Sequence, residues 1–420
     1  MRNAETSAGE LAARFIRIRN TTEALSAPLS EEDSVVQSMP DASPVKWHLA
    51  HTSWFFETFV LTKTANFKPF HPSFGFLFNS YYDTVGARHP RPERGLLTRP
   101  SLSEVKAYRK SVDERMSALL ESRPQDFAEL FAIVELGLHH EQQHQELLLT
   151  DVKHLFGSNP LRPAYHSRES LRAPAAAPLE WQQFDAGLCS IGHSGGGFAF
   201  DNEGPQHREF VEGYALANRL VTNAEYLEFM VDGGYRRPEL WLSEGFRVSS
   251  ERGWTAPLYW EIEHEKVYTL AGLEPIALGD PVSHVSYYEA DAFARWAGGR
   301  LATEAEWERA ALGLPIAGNF LESGALKPCA ATAQGARAPR ARQMFGDVWE
   351  WTSSAYSAYP GYRPTAGALG EYNAKFMCNQ LVLRGGSCAT PETHIRPTYR
   401  NFFPADARWQ FSGIRLARSA

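Results

Sequence analysis

The chain has 420 residues, 43% hydrophobic and 22% charged, with a formal net charge of −7. That length exceeds one ordinary hydrophobic core and predicts two domains. The charge is diffuse, with no Lys/Arg cluster to form a nucleic-acid footprint, and no apolar run is long enough to cross a bilayer.

The first residues, Met1-Arg2-Asn3-Ala4-Glu5, lack the apolar core of a signal peptide, so the expected location is cytoplasmic. Four cysteines (Cys189, Cys329, Cys378 and Cys388) form no CxxC pair, as expected for reduced thiols. Aromatic residues make up 12% of the chain, with 11 Trp, enough to pack a core and line a pocket for a flat or cationic ligand.

The first half reads as helical. Glu10 to Leu25 predicts a first helix. Ser43-Pro44 predicts the start of a second, with Ser43 as N-cap and Pro44 at the first helical position. Ser101 and Glu104 have capping-box spacing and predict the start of a third. Pro124 to Phe156, closed by Gly157, predicts a fourth. Four such helices suggest an antiparallel bundle over residues 1–158. Between the second and third lies a long loop, Phe67 to Pro100, whose aromatic content argues for order.

Residues 159–178 turn to Pro, Ala, Arg and Ser and read as a linker. Beyond them, over 179–420, Gly-rich turns and Trp recur. Helical periodicity appears mainly in Thr222 to Asp232 and Ser286 to Ala297, which predicts an irregular α+β domain.

The most informative local feature is His140-Glu141-Gln142-Gln143-His144. Two histidines four residues apart on a helix place both rings on one face, able to grip one metal ion. His48 and His51 lie in a second apolar helical stretch, Trp47-His48-Leu49-Ala50-His51-Thr52-Ser53-Trp54. One of them would complete a three-histidine site that leaves coordination positions open for substrate. His139 has no histidine at i+4 and would point off the 140/144 face.

Several C-terminal segments are specific: Gly298-Gly299-Arg300-Leu301-Ala302-Thr303-Glu304-Ala305-Glu306-Trp307-Glu308, Phe345-Gly346-Asp347-Val348-Trp349-Glu350-Trp351-Thr352, Leu383-Arg384-Gly385-Gly386-Ser387 and Gly413-Ile414-Arg415-Leu416-Ala417. Together they resemble the formylglycine-generating-enzyme fold, a C-type-lectin-like domain. The N-terminal His-Leu-Ala-His and His-x-x-x-His segments resemble the DinB-like metal-binding four-helix bundle. In this order the two resemble the ergothioneine-pathway sulfoxide synthases, often called EgtB, and their selenoneine-synthase relatives, called SenA. The resemblance covers essentially the whole chain. Formylglycine-generating enzymes rely on a cysteine pair shortly after Arg-Gly-Gly-Ser. Here only Cys388 follows, which argues for another use of the fold.

The resemblance implies His51, His140 and His144 as metal ligands and Fe(II) as the metal. Three neutral imidazoles by themselves accept zinc, iron, copper or nickel, but activating O2 needs a redox-active ion. It implies that the enzyme joins a sulfur or selenium donor to the imidazole ring carbon of hercynine, with O2 as co-substrate. Asn401, Phe402 and Phe403 would line the hercynine site, with rings for its quaternary ammonium. Gln143, between the helix histidines, could hydrogen-bond the substrate imidazole. Arg91 and Arg94 would hold an anionic donor such as cysteine or γ-glutamylcysteine through their planar forks. A selenosugar donor would need fewer such contacts. A tyrosine would serve as proton donor: Tyr81 and Tyr82 are preferred, with Tyr356 and Tyr359 at the position used in another lineage. Two alternatives predict different behaviour. A zinc-dependent thiol transferase or hydrolase on the bundle would consume no oxygen, and a non-catalytic ligand-binding protein would not turn over.

Overall fold

The computed structural model describes residues 8–122, 127–167, 176–331, 341–364 and 367–420. They fall into two compact units. One comprises Met1–Pro160 with Gly195–Phe198 and Pro364–Tyr372, and the other comprises Leu161–Ser194, Ala199–Arg363 and Asn373–Ala420.

The first unit is helical: α1 (Ala8–Ser26), α2 (Val45–Phe59), the single turn α3 (Phe74–Leu77), α4 (Leu102–Ser122) and α5 (Phe127–Ser158). Helix α2 is buried on nearly every side from Val45 to Glu57, as its all-round apolar sequence dictates. It packs against α4 and α5. Helix α4 begins at the predicted capping box: the Ser101 N–H donates to Glu104 Oε2 at 2.7 Å and the Glu104 N–H to Ser101 Oγ at 3.2 Å.

Two predicted helix ends differ. Pro44, not Ser43, occupies the N-cap of α2, without a side-chain cap bond. Ser43 makes tertiary contacts instead: its N–H donates to Asp151 Oδ2 at 2.8 Å and its hydroxyl accepts from Arg94 Nη1 at 2.9 Å. Gly157 does not close α5, which runs on to Ser158. One interior glycine costs only about 1 kcal/mol, too little to stop a long packed helix; Pro160 follows the end. The predicted start at Pro124 lies outside the described residues.

A buried charge cluster sets the rotation of α5. The Glu141 carboxylate takes Arg19 Nη1 at 2.9 Å, Arg109 Nη2 at 2.6 Å and the Thr22 hydroxyl at 2.7 Å. Burial pushes this carboxyl upward, but the two guanidiniums outweigh it and hold its pKa at about 2. Removing one partner of such a buried set costs about 3–5 kcal/mol.

The second unit alternates short strands and helices: β1 (Trp181–Phe184), β2 (Gly187–Ile191), β3 (His207–Val211), β4 (Tyr214–Ala217), α6 (Asn223–Val231), α7 (Ser243–Glu251), β5 (Trp260–Glu261), β6 (Lys266–Thr269), β7 (Gly272–Pro275), α8 (Tyr287–Trp296), β8 (Arg300–Leu301), α9 (Glu304–Ala311), β9 (Trp349–Ala355), β10 (Leu381–Arg384), β11 (Asn401–Phe403), β12 (Ser412–Gly413) and β13 (Leu416–Ser419). Two four-stranded sheets run β1-β4-β13-β8 and β11-β10-β9-β12; β2-β3 and β5-β6-β7 form smaller ones. Helices α6, α8 and α9 share one N-terminal device, a capping box from Thr222/Glu225, Ser286/Glu289 and Thr303/Glu306. Trp307, Trp349 and Trp351 are fully buried in the core. Of the predicted linker, Tyr165 and His166 donate backbone hydrogen bonds to the Leu270 carbonyl at 2.8 and 3.2 Å; residues 168–175 lie outside the described residues. No described helix is long and apolar enough to cross a membrane.

Candidate metal centre

Helix α5 carries His140 and His144 one turn apart, and α2 brings His51 against them. The three ring centroids form a near-equilateral triangle: 4.9 Å for His51–His140, 4.7 Å for His51–His144 and 4.6 Å for His140–His144. One nitrogen from each ring lies within 4.8 Å of the others. Gly137, one turn before His140, allows this approach. A Cβ there would sit 2.6 Å from Phe56 Cε1 and 2.8 Å from Phe55 Cε1.

Burial is the main influence on all three imidazoles. It lowers the His140 pKa to about 3 and those of His51 and His144 well below the ordinary value, so all three are neutral, the form that binds metal. The walls are aromatic: Trp47 and Trp54 stack on the two sides of His51 at 4.5 and 5.4 Å, and Phe55 lies 4.8 Å from His140.

The ring nitrogens are placed where one metal ion could meet all three. His51 Nδ1 donates to the Phe78 carbonyl at 2.6 Å, which leaves Nε2 as its lone-pair nitrogen. That Nε2 stands 3.1 Å from His140 Nε2. Two nitrogens bound at about 2.1 Å to one ion, at a right angle, lie about 3.0 Å apart, so the spacing fits adjacent coordination positions. His140 Nδ1 is buried with no hydrogen-bond partner among the described residues. The donor set fits a first-row transition metal and leaves positions open.

The other predicted site residues divide between the units. In the first, Arg94 is buried and lies 3.4 Å from the Trp47 ring centroid. Its guanidinium donates to Ser43 Oγ at 2.9 Å and Ser80 Oγ at 3.1 Å, both neutral. Burial lowers its pKa and the nearby Arg91 adds to that, while the Asp151 carboxylate opposes them in part. Arg91 donates to the Asp41 carbonyl from an exposed position. Tyr81 and Tyr82 stack on each other at 4.7 Å, and Tyr82 also meets Trp54 at 5.5 Å. Gln143 Oε1 accepts the hydroxyl of Tyr372.

In the second unit, Asn401, Phe402 and Phe403 form β11, and Asn401 Oδ1 accepts the Phe402 N–H at 2.9 Å. Phe402 stacks on Tyr356 at 4.0 Å and lies 5.9 Å from Phe376, a ready ring cluster. Tyr356 and Tyr359 are bonded within this unit: Asn202 Nδ2 donates to the Tyr356 hydroxyl at 2.9 Å, and Arg384 Nη2 to that of Tyr359 at 3.1 Å.

Sequence reasoning missed Tyr372. Its ring lies 5.7 Å from His140 and 6.1 Å from Tyr81, in the segment Pro364–Tyr372 that belongs to the helical unit. Neither its local sequence nor any periodicity marks it.

Comparison with known proteins agrees with this architecture. The DinB superfamily model matches residues 14–148, and that of the sulfatase-modifying factor enzyme 1-like domain matches 183–335 and 338–420. The chain is 33% identical over 435 residues to the hercynine oxygenase of Mycolicibacterium thermoresistibile, covering 97% of this chain and 94% of that protein. The chain belongs to the hercynine oxygenase family. A second hercynine oxygenase, from Mycolicibacterium smegmatis, is 32% identical and covers 98% of both chains. The formylglycine-generating enzyme of Mycobacterium tuberculosis is 28% identical and covers 51% of this chain, so the hercynine oxygenase likeness extends over both units and that one over about half the chain. In this family member Cys388 is buried.

Proposed function

We propose that the protein is an Fe(II)-dependent hercynine oxygenase that uses O2 to join a sulfur or selenium donor to the imidazole C2 of hercynine. The observation that carries this reading is the triangle of three buried, neutral imidazoles beside tyrosine hydroxyls and a buried guanidinium. Its supports are the two full-length relatives called hercynine oxygenases and the 29% identical ergothioneine biosynthesis protein 1 of Schizosaccharomyces pombe, where the match covers 53% of this chain and 28% of that protein. With a thiol donor the balance is hercynine C2–H plus R–SH plus O2, giving the C2 sulfoxide and water.

In this reading His51, His140 and His144 would hold the iron, which would supply one-electron chemistry. Arg94 meets the donor's carboxylate, because its buried guanidinium, hydrogen-bonded to the neutral hydroxyls of Ser43 and Ser80, gains from an anion beyond the partial compensation that Asp151 gives. Arg91, at the exposed end of the same loop, adds a second cation. The aromatic walls exclude water and keep the imidazoles neutral. Tyr372, with Tyr81 and Tyr82 behind it, supplies the hydroxyl that moves a proton beside the imidazoles. Gln143 sets the direction of that hydroxyl. Asn401, Phe402 and Phe403 bind hercynine, with one of the two rings, which point to opposite faces of β11, meeting its quaternary ammonium.

The test is anaerobic Fe(II) reconstitution, then O2 uptake and product mass with hercynine plus cysteine, γ-glutamylcysteine or a selenosugar in turn. Turnover with a sulfur donor places the enzyme in sulfoxide synthesis, and preference for the selenosugar in selenoneine synthesis. A protein that purifies with zinc and takes up no O2 with any donor would overturn the oxygenase reading in favour of a transferase on the bundle.

A further inference from the structure

His48 lies on α2 one turn before His51 and is 2% exposed. Its two ring nitrogens are both engaged: Nε2 meets Asp151 Oδ2 at 3.0 Å, and Nδ1 meets Nδ1 of His144 at 2.9 Å. The same Asp151 Oδ2 accepts the Ser43 N–H at 2.8 Å. A carboxylate, two imidazoles and a backbone amide thus form one continuous buried line ending on a histidine of the candidate metal centre.

With a single hydrogen on His48, the hydrogen-bond inventory of these groups fixes the others. An ionised carboxylate only accepts, so His48 Nε2 carries a hydrogen toward Asp151. Two ring nitrogens 2.9 Å apart share one hydrogen between them. Neutral His48, with its hydrogen on Nε2, presents a lone pair at Nδ1, and His144 Nδ1 must then be the donor. His144 is left with its lone pair on Nε2. The Phe78 carbonyl does the same for His51, by a different acceptor. Imidazole tautomers interconvert freely in water, so an unsupported ring would offer the wrong nitrogen part of the time.

We propose that Asp151 and His48 are positioning residues that hold the His144 imidazole as its Nδ1–H tautomer, so that Nε2 faces the metal. The assignment rests on the metal-ligand reading of His144 and adds to it which nitrogen binds and what selects it. Asp151 acts through His48, and neither touches substrate. Ser43 keeps the carboxylate in register with the start of α2.

The experiment uses full-length protein labelled with 15N-histidine, metal-free, with the His144 signals assigned by difference from His144→Gln. In the wild type, the shifts of His144 are those of a protonated Nδ1 and an unprotonated Nε2. His48→Phe removes the acceptor and loses this pattern. His48→Gln, whose amide oxygen can accept, restores it. Co(II) titration, read by ligand-field absorption, gives the second measure. Affinity falls about 10–100-fold in His48→Phe and stays within about threefold of wild type in His48→Gln. Thermal melts of the metal-free variants separate a lost relay from a lost fold, and Asp151→Asn, with the amide oxygen still able to accept, carries the test if His48→Phe does not fold: a small fall in affinity with an intact tautomer agrees with the relay. A wild-type His144 that carries its hydrogen on Nε2, or a folded His48→Phe with unchanged shifts and affinity, overturns the proposal. A wild type that binds no Co(II) but shows the Nδ1–H pattern would sink the metal reading and leave the relay standing.

Discussion

The hydroxyl of Tyr372 donates to Oε1 of Gln143, the residue immediately before His144 on α5. The bond joins residues 229 positions apart in sequence and sets a phenol beside the imidazole triangle. Tyr372→Phe keeps the ring and removes the proton. We expect kcat to fall by about 10²-fold or more, with Fe(II) affinity within about twofold of wild type. Single-turnover kinetics and a metal titration on the same preparation read both numbers. An unchanged kcat would return the proton-donor assignment to Tyr81 and Tyr82, whose Phe variants belong in the same series.

Glu371, the neighbour of Tyr372, clamps the tyrosine-bearing loop. Its carboxylate accepts the Asp83 and Thr84 N–H groups, each at 2.9 Å, and the Thr84 hydroxyl. Glu371→Ala should lower kcat about tenfold through misplacement of Tyr81 and Tyr372, without weakening metal binding. Glu371→Gln, which keeps one acceptor oxygen, should lie between the two. If Glu371→Ala turns over at the wild-type rate, other contacts hold the loop.

The legible parts of this molecule are those with local grammar. The i,i+4 histidine pair, the Ser101/Glu104 box and the Thr222 and Ser286 helix starts all follow from spacing within one or two turns. Helix α9 carries the same Thr-x-x-Glu signature at Thr303/Glu306 and could have been read by that rule. What spacing does not encode is return across the chain. Tyr372 meets Gln143, and Phe198, after a glycine run, stacks on His139 at 3.9 Å. Ser43 looked like a cap because serine caps helices, but its groups meet Asp151 and Arg94 instead. The histidine relay was half legible: His48 stood out as a neighbour of His51, while Asp151 had no sequence feature to mark it.

Asp347 gives a pH dependence remote from the metal centre. Its carboxylate accepts from Asn319 Nδ2 and the Cys329 N–H, both at 2.8 Å, and from Gln343 Nε2 at 3.2 Å. Burial nonetheless raises its pKa from 3.8 to about 6. The folded state therefore holds this proton more tightly than the unfolded chain. The resulting stabilisation is full below about pH 4 and is lost as pH rises through about 6, by about 3 kcal/mol in all. Urea unfolding of wild type and Asp347→Asn between pH 4 and 7.5 should show the difference between them shifting against the wild type as pH rises. A pH-independent difference would show that the donors around the carboxylate cancel its burial.

Metal should stabilise the helical unit as well as enable turnover. An ion at about 100 times its Kd adds about 2.7 kcal/mol by mass action. Anaerobic melts should therefore shift upward by several degrees with Fe(II) in the wild type, and not in His140→Ala or His144→Ala. Those variants should also lose iron on desalting. Retention of full iron and activity in either one would show the ligand assignment to be wrong.

Arg94 offers the means to tell the donors apart. Its guanidinium is buried on Trp47 and, among the described residues, hydrogen-bonds to the neutral hydroxyls of Ser43 and Ser80, so a donor carboxylate would gain a charged partner there. Arg94→Met keeps much of the packing and removes that charge. A hydrogen bond to a charged group contributes about 1.5–3 kcal/mol, so the KM for cysteine or γ-glutamylcysteine should rise about 10–100-fold, with the KM for hercynine unchanged. A neutral selenosugar has no carboxylate to lose, and its KM should move by less than about threefold. Measured side by side, the two ratios decide which donor the loop is built to hold, and a rise confined to hercynine would move Arg94 to the other substrate's carboxylate.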